Sequence, residues 1–297
     1  MDIRVLNYFL AVAREESISK AAQTLHMTQP PLSRALMELE EEIGKQLLIR
    51  GNRKITLTEE GLLLRKRAAE IIALVKKTED ELAVPDSADL QGDIYIGCGE
   101  TDAMRLIART ATKLQKQFPG IKYHLSSGNA EDLHDKLEKG LFDFAVLIEA
   151  SDIGNYDYIR IPAVDVWGLL MRKDHPLAKR SEILPEDLWD LPLLTSRQAA
   201  SNNEFTGWLK KDFDQMNIVG TYNLVYNASL MVEEGFACAL TLDGLVDTGS
   251  GSHLCFRPLS PQKTASMHMV WKKYQRFTKA AQRFLEQIQY DFALLDA

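Results

Sequence analysis

Ser17-Ile18-Ser19-Lys20-Ala21-Ala22-Gln23-Thr24-Leu25-His26-Met27-Thr28-Gln29-Pro30-Pro31-Leu32-Ser33-Arg34-Ala35-Leu36 is the stretch that decides the fold. It holds two apolar patterns of helical spacing with a short break between them. Ile18, Ala21, Ala22 and Leu25 follow Ser17, a residue type that caps helix N-termini. Thr28 is placed to cap the next helix, and Pro30 and Pro31 suit its first turn, where a missing N–H would be unpaired anyway. Leu32, Leu36, Leu39 and Ile43 then form a narrow core stripe that stops at Gly44. Ala21 and Ala22 are small enough to let the two helices approach closely. Helix, tight turn and helix make a helix-turn-helix.

The flanks extend the unit. Upstream, Ile3, Leu6, Phe9, Leu10, Val12 and Ala13 fall on one helical face. Downstream, residues 46–50 and 54–58 are short β-tolerant runs around Gly51-Asn52, a hairpin signal that adds a wing. Thr58-Glu59-Glu60-Gly61 opens a long helix to about Leu82, in which Leu64, Ala68, Ile71, Val75 and Leu82 suit a coiled-coil seam. Pro85-Asp86-Ser87 breaks it, so a linker is expected at about 84–91.

Several residues of this region have the chemistry to meet DNA. Pro30, Arg34 and Met37 lie far from the leucine stripe, and Gln29 and Ser33 flank it near the helix N-terminus, the end of a recognition helix that reaches base edges. Gln pairs with adenine, and Arg with guanine or phosphate. Residues 45–58 carry four basic groups (Lys45, Arg50, Arg53 and Lys54) and no acidic one, which suits a phosphate or minor-groove contact. The plainer alternative, a small helical subdomain with a solvated polar face, fits the same periodicity.

The chain has 297 residues, 45% of them hydrophobic and 26% charged, which excludes a disordered or fibrous chain and leaves room for about two domains. No apolar run reaches the roughly 18 residues of a spanning helix, and the start, Met1-Asp2-Ile3-Arg4, does not resemble a secretory signal. Three scattered cysteines, Cys98, Cys238 and Cys255, imply a reduced, cytoplasmic protein without a disulfide framework. The net charge of −7 argues mildly against nucleic-acid binding. Residues 1–92 contribute −2 of it.

From residue 92 strands and helices alternate, which predicts βαβ units and mainly parallel sheets. Strands are expected at 93–98, 121–126, 143–149, 158–161, 164–172, 218–226, 237–242, 254–259 and 266–272. Helices are expected at 102–117, 130–139, 185–190, 201–215, 228–235 and 277–295. Gly97-Cys98-Gly99-Glu100 resembles the start of a dinucleotide loop, but the third glycine is missing and Glu100 would repel a pyrophosphate. No nucleophile motif or metal-ligand spacing is present, so no enzyme, metal or cofactor is expected. Cys98 reads better as a small buried hydrophobe than as a redox sensor.

Ser17–Leu36, with Leu39-Glu40, Ile43-Gly44, Leu47, Arg50 and Leu57-Thr58-Glu59-Glu60-Gly61, resembles the LysR-type transcriptional regulators. The likeness is dense over about sixty residues and continues loosely through Asp143, His175-Pro176-Leu177-Ala178 and Val232-Glu233-Glu234-Gly235. It implies a winged helix-turn-helix DNA-binding domain (1–58, with the helix-turn-helix at about 18–37), a dimerising linker helix and hinge (59–91) and a two-lobed α/β effector domain (92–297) like periplasmic binding proteins. The lobes would be 92–161 with 267–297, and 162–266. The DNA-contact set would be Ser17, Gln29, Pro30, Ser33, Arg34, Arg50, Arg53 and Lys54, and the seam residues would pair two chains. Leu48 stands where the family commonly has Phe, and the acidic run 38–42 favours docking by the helix N-terminus.

In such two-lobed folds ligands bind in the cleft at strand carboxyl ends. The candidates are Glu100, Thr101, Asp102, Ser126, Ser127, Asn129 and Glu149 on one side, and Ser196, Arg197, Asn202, Asn227 and Asp243 on the other. N-capping or turn chemistry accounts for about half of such residues. The preponderance of carboxylates predicts an effector with a positive or hydrogen-bond-donating group. Residues 237–243 lack the glycine and proline pattern common at this point in the family. The expected partners are an interrupted palindrome of double-stranded DNA, a small effector, one or three further copies of the chain, and RNA polymerase. A second half that binds a protein partner instead of a ligand is the alternative; a βαβ enzyme is the remote one.

Overall fold

A computed structural model describes residues 1–51, 54–82, 90–149, 153–201 and 204–295. The chain divides into two compact units, Met1–Val84 and Pro85–Ala297. In the first, α1 (Ile3–Glu15), α2 (Ile18–Thr24) and α3 (Gln29–Ile43) bury Phe9, Val12, Ala21, Leu32, Leu36 and Leu39 together. Ser17 caps α2 as its residue type predicts, its hydroxyl accepting from the Lys20 N–H. Thr28 precedes α3 but makes no side-chain cap. The reason is chemical: the positions whose N–H groups a cap would take, Pro30 and Pro31, have none. Gly44 ends α3 at φ +71, and Ile43, expected in the stripe, is exposed.

The wing follows. β1 (Leu48–Arg50) and β2 (Ile55–Leu57) pair antiparallel, Leu48 opposite Leu57. One carboxylate oxygen of Glu40 on α3 accepts from the Leu47 and Leu48 N–H groups at 2.7 and 3.0 Å. On the other side the Ile55 N–H donates to the Glu16 carbonyl at the end of α1. The long helix α4 (Glu59–Leu82) starts at Thr58, whose hydroxyl accepts from the Gly61 N–H and donates to the Gln46 carbonyl. Gly61 is required by contact: a Cβ there would lie 2.2 Å from the Leu47 carbonyl oxygen.

The second unit is built on β3 (Gln91–Cys98), β4 (Gly120–Ser127), β5 (Phe144–Ile148), β6 (Tyr156–Arg172), β7 (Leu193–Ser196), β8 (Ile218–Tyr222), β9 (Cys238–Leu242), β10 (Leu254–Pro258) and β11 (Thr264–Lys272). They form one sheet in the order β4-β3-β5-β11-β6-β9-β7-β8, with β10 also on β6. Its helices are α5 (Met104–Gln117), α6 (Ala130–Glu138), α7 (Arg197–Ser201), α8 (Val225–Glu233) and α9 (Lys279–Ala293).

The sheet is mixed, which corrects the expectation of mainly parallel pairing. β3 is parallel to β4 and β5, and β7 to β8 and β9. β6 and β11 run antiparallel to their neighbours because they are long return strands. β6 replaces the two strands expected at 158–161 and 164–172. It passes through Pro162 at an irregularity in its register with β11, where no ladder N–H is needed. The helix expected at 201–215 does not form over the described residues 204–215. Gly207 and Lys210 there have φ +79 and +54, incompatible with a helix. β8 ends at Tyr222, short of 226, and β7 is an element the sequence reading missed.

Two cores result. Ile94, Ile96, Phe144, Ile161, Met267, Phe284 and Ile288 belong to one, and Trp167, Leu169, Leu188, Phe205, Leu240 and Ala265 to the other. β6 and β11 supply both, changing core between Ile161 and Trp167 and between Ala265 and Met267. The parallel trios β3-β4-β5 and β7-β8-β9 lie in different lobes.

Candidate functional site

In the first unit the polar turn at the start of α3 is presented outward. Leu32, Leu36 and Leu39 are buried, whereas Gln29, Pro30 and Arg34 are exposed and Ser33 is half-buried. The Ser19 hydroxyl donates to the Gln29 Oε1 at 2.9 Å, so the Gln29 amide group keeps its two N–H donors outward. Arg50 and Lys54 are exposed on the wing strands' end, Lys54 lying 3.4 Å from a Glu16 carboxylate oxygen. Ser17 is occupied as a cap. Arg53 lies outside the described residues.

Along α4, Ala68 is fully buried and Leu64 packs on the α1–α3 core, so these two seam candidates are used within the chain. Ile71 and Val75 are half-buried and Leu82 is exposed, as are Leu63 and Leu74 at 59% and 41%.

In the second unit the carboxyl ends of both parallel trios converge on one partly open cleft. Glu100, Asn129, Glu149 and Ser196, all expected there, line it. Thr101, Asp102, Ser126, Ser127, Arg197, Asn227 and Asp243 do not. Thr101 is buried and its hydroxyl accepts from the Ala103 N–H. Asp102 pairs with Arg105 at 2.7 Å. Asp243 accepts from its neighbour Gly244, and Arg197, Asn227 and Ser127 are turned to solvent. Local capping and turn chemistry thus accounts for Thr101 and Asp243. Asn202 lies outside the described residues.

The sequence reading missed most of the lining: Trp167, Gln198, Glu204, Tyr222, Asn223 and Thr241 among the larger polar groups, and Ile148, Leu242 and Leu245 among the apolar ones. Trp167 is buried with its indole Nε1 unpartnered, its ring edge-on to Phe205. The Tyr222 hydroxyl donates to the Leu240 carbonyl, and burial pushes its pKa far up, so it stays protonated. Nothing in the spacing of Trp167 or Tyr222 marks them as cleft residues. Trp167 arrives through the return strand β6, and Tyr222 at the carboxyl end of β8.

Among the described residues the lining carries no Lys, Arg or His, but it carries three carboxylates. Glu204 pairs with Lys263 at 2.7 Å, Glu149 accepts from the Ser266 N–H, and Glu100 accepts from the Val225 N–H. Behind the cleft, burial raises the Asp165 carboxyl's pKa, opposed by the Thr101 hydroxyl and the backbone N–H groups of Asp102 and Ala103 just before α5. Burial also raises the Cys98 pKa, which disfavours a reactive thiolate and agrees with a packing role. Among the described residues no cluster suited to a metal ion occurs.

A winged helix-turn-helix unit followed by a two-lobed α/β unit with an interlobe cleft defines the architecture of a DNA-binding regulator with an effector-binding-like second unit. Residues 3–62 match the family model described as bacterial regulatory helix-turn-helix protein, lysR family, and residues 87–293 match the LysR substrate binding domain. The chain belongs to the LysR family of DNA-binding transcriptional regulators, with an effector-binding-like C-terminal unit. It is 24% identical over 288 residues to the uncharacterized HTH-type transcriptional regulator YvbU of Bacillus subtilis, covering 96% of this chain and 97% of that one. It is 31% identical over 189 residues to the hydrogen peroxide-inducible genes activator of Pectobacterium carotovorum, a match covering 63% of this chain and 62% of that protein. The LysR family regulator CbnR has the same fold: its crystal structure superposes with a TM-score of 0.78 at 17% identity, covering 98% and 99% of the two chains.

Proposed function

We propose that this regulator reads an interrupted palindrome with the N-terminal turn of α3, as a homodimer or homotetramer paired through α4, in the cytoplasm. Gln29, Pro30, Ser33 and Arg34 would face base edges and phosphates, and Arg50, Arg53 and Lys54 the flanking backbone. The division of α3 into a fully buried leucine stripe and an exposed polar N-terminal turn carries this reading. The working boundaries are 1–58 for DNA binding, 59–91 for the linker, and 92–297 for effector binding. The test is a gel-shift titration at two salt concentrations on the chain's own upstream DNA. Arg34→Ala should relax sequence preference at a cost of about 1–3 kcal/mol. Unchanged preference in that variant removes Arg34 from the recognition set.

The cleft supports a small-molecule effector rather than a protein partner, because its lining is concave and set at six strand ends. Three carboxylates and no cation among the described residues of that lining favour an effector that is uncharged or positive and donates hydrogen bonds. Effector binding would shift the arrangement of the DNA-binding heads, and so contact with RNA polymerase, by its differential affinity for two arrangements. A calorimetric screen in which only dicarboxylates bind would refute the effector class.

A further inference from the structure

Two side chains cross the cleft in opposite directions, and each satisfies the first N–H of a helix in the opposite lobe. Glu100 leaves the end of β3 and its Oε2 accepts from the Val225 N–H, the first residue of α8, at 2.6 Å. Gln198 on α7 returns the contact. Its Oε1 accepts from the Ala130 N–H, the first residue of α6, at 3.2 Å, and its Nε2 donates to the Ile148 carbonyl at 3.1 Å. α8 needs this partner: Leu224 occupies its N-cap position and supplies no side-chain acceptor. The first N–H groups of a helix have no intrahelical partner, and the helix dipole favours a negative charge beside them.

We infer that Glu100 is a built-in carboxylate that fills the anion position of the cleft and, with Gln198, latches the two lobes together in the absence of effector. This rests on the cleft being the effector site only for its consequence, not for the latch itself. The consequence concerns specificity. A carboxylate effector would meet the charge of Glu100 at the N-terminus of α8. An effector that opens the latch must bring its own acceptor to Val225 and a polar group for Gln198. The anion position is thus part of the chain, and the effector's selectivity lies with the remaining lining.

The experiment compares the full-length wild type with Glu100→Ala and Glu100→Gln by peptide-resolved hydrogen exchange over residues 222–230, without effector. Loss of a charge-assisted bond should speed exchange at the start of α8 by about tenfold in Glu100→Ala, with Glu100→Gln between the two. Exchange over residues 280–292 of α9 reports that each variant is folded. Sodium acetate and sodium benzoate are then titrated. They should restore protection in Glu100→Ala and leave the wild type unchanged. Unaltered exchange at the start of α8 in a folded Glu100→Ala, or equal protection of wild type and variant by the two anions, overturns the inference. Neither outcome bears on whether another small molecule binds the cleft, which the calorimetric screen decides separately.

Discussion

The Glu40 carboxylate ties the wing's backbone to α3, and removing it should unfold one unit of the protein before the other. Glu40 accepts two backbone N–H groups, from Leu47 and Leu48, at 2.7 and 3.0 Å with one oxygen. Both leucines are almost fully buried in the α1–α3 core, so their N–H groups have poor access to water in Glu40's absence. A hydrogen bond to a charged group contributes about 1.5–3 kcal/mol, and an orphaned buried donor costs about 1–3 kcal/mol. Glu40 is only half-buried, so water reaches part of the gap, and about 2 kcal/mol is the expected loss for Glu40→Ala. Glu40→Gln keeps an acceptor in place and should lose about half of that. The assay exploits where the fluorophores are. Trp167, Trp189, Trp208 and Trp271 all lie in the C-terminal unit. Far-UV circular dichroism therefore reports both units, and tryptophan fluorescence only the second. In urea, Glu40→Ala should show an early dichroism transition with the fluorescence transition unmoved. A single transition coincident with that of the wild type would refute the anchoring role of Glu40.

Three further perturbations test separate parts of the fold. Gly61→Ala places a Cβ 2.2 Å from the Leu47 carbonyl oxygen, so the wing or α4 must shift, at a cost of about 2–3 kcal/mol in thermal unfolding of the first unit. Leu63→Glu with Leu74→Glu charges the exposed apolar positions of α4, and light scattering should show the assembly weakened by at least about 100-fold if each leucine contributes about 1.5–3 kcal/mol to pairing. An unchanged mass would place the dimer contact elsewhere. Asp291 joins α9 to α5: burial raises its pKa, but bonds from Thr110, Lys113 and Gln287 outweigh this and leave it lowered. A carboxylate with a lowered folded pKa stabilises above its unfolded pKa of about 4, and that stability is lost as pH falls through the folded value. Asp291→Asn should therefore destabilise the second unit at neutral pH and make little difference at the acid end, measured by tryptophan fluorescence.

The first unit was legible because its signals are local and agree with each other. The leucine stripe of α3, the caps at Ser17 and Gly44, and the turn chemistry before the wing each act within a few residues. Thr28 misled because capping propensity was read without asking whether N–H groups existed to be capped. The second unit was legible as alternating strands and helices, but its pairing was not. The direction of β6 and β11 is decided by partners more than a hundred residues away, and a return strand has the same apolar run as a parallel one. Glu100, Asn129, Glu149 and Ser196 line the cleft because they follow strand carboxyl ends, which are definable from sequence. Asp102 and Asp243 have the same chemistry at the same ends, but neighbours within three residues take up their oxygens. The latch was not legible: the sequence reading expects a strand over 218–226, and only the structure shows α8 starting at Val225 with Leu224 at its N-cap position.

The acidic net charge sets how such a protein can select its sites. The chain carries −7 overall, and residues 1–92 still carry −2, so bulk attraction to DNA is weak. Two of the acidic residues nearest the wing are tied into the fold, Glu40 to the Leu47 and Leu48 N–H groups and Glu16 beside Lys54. That leaves a local basic surface at Arg34 and Arg50, with the acidic residues 38–42 behind the polar turn. Such a head gains little from phosphates in general and most from one orientation, with the N-terminal turn of α3 inserted. A single head of this kind binds weakly, and affinity must come from two or more heads held at a fixed separation. Anything that changes that separation changes affinity steeply. In a basic head the sequence-independent term would mask such a change. Weak charge in the head therefore complements the effector control of head spacing proposed above.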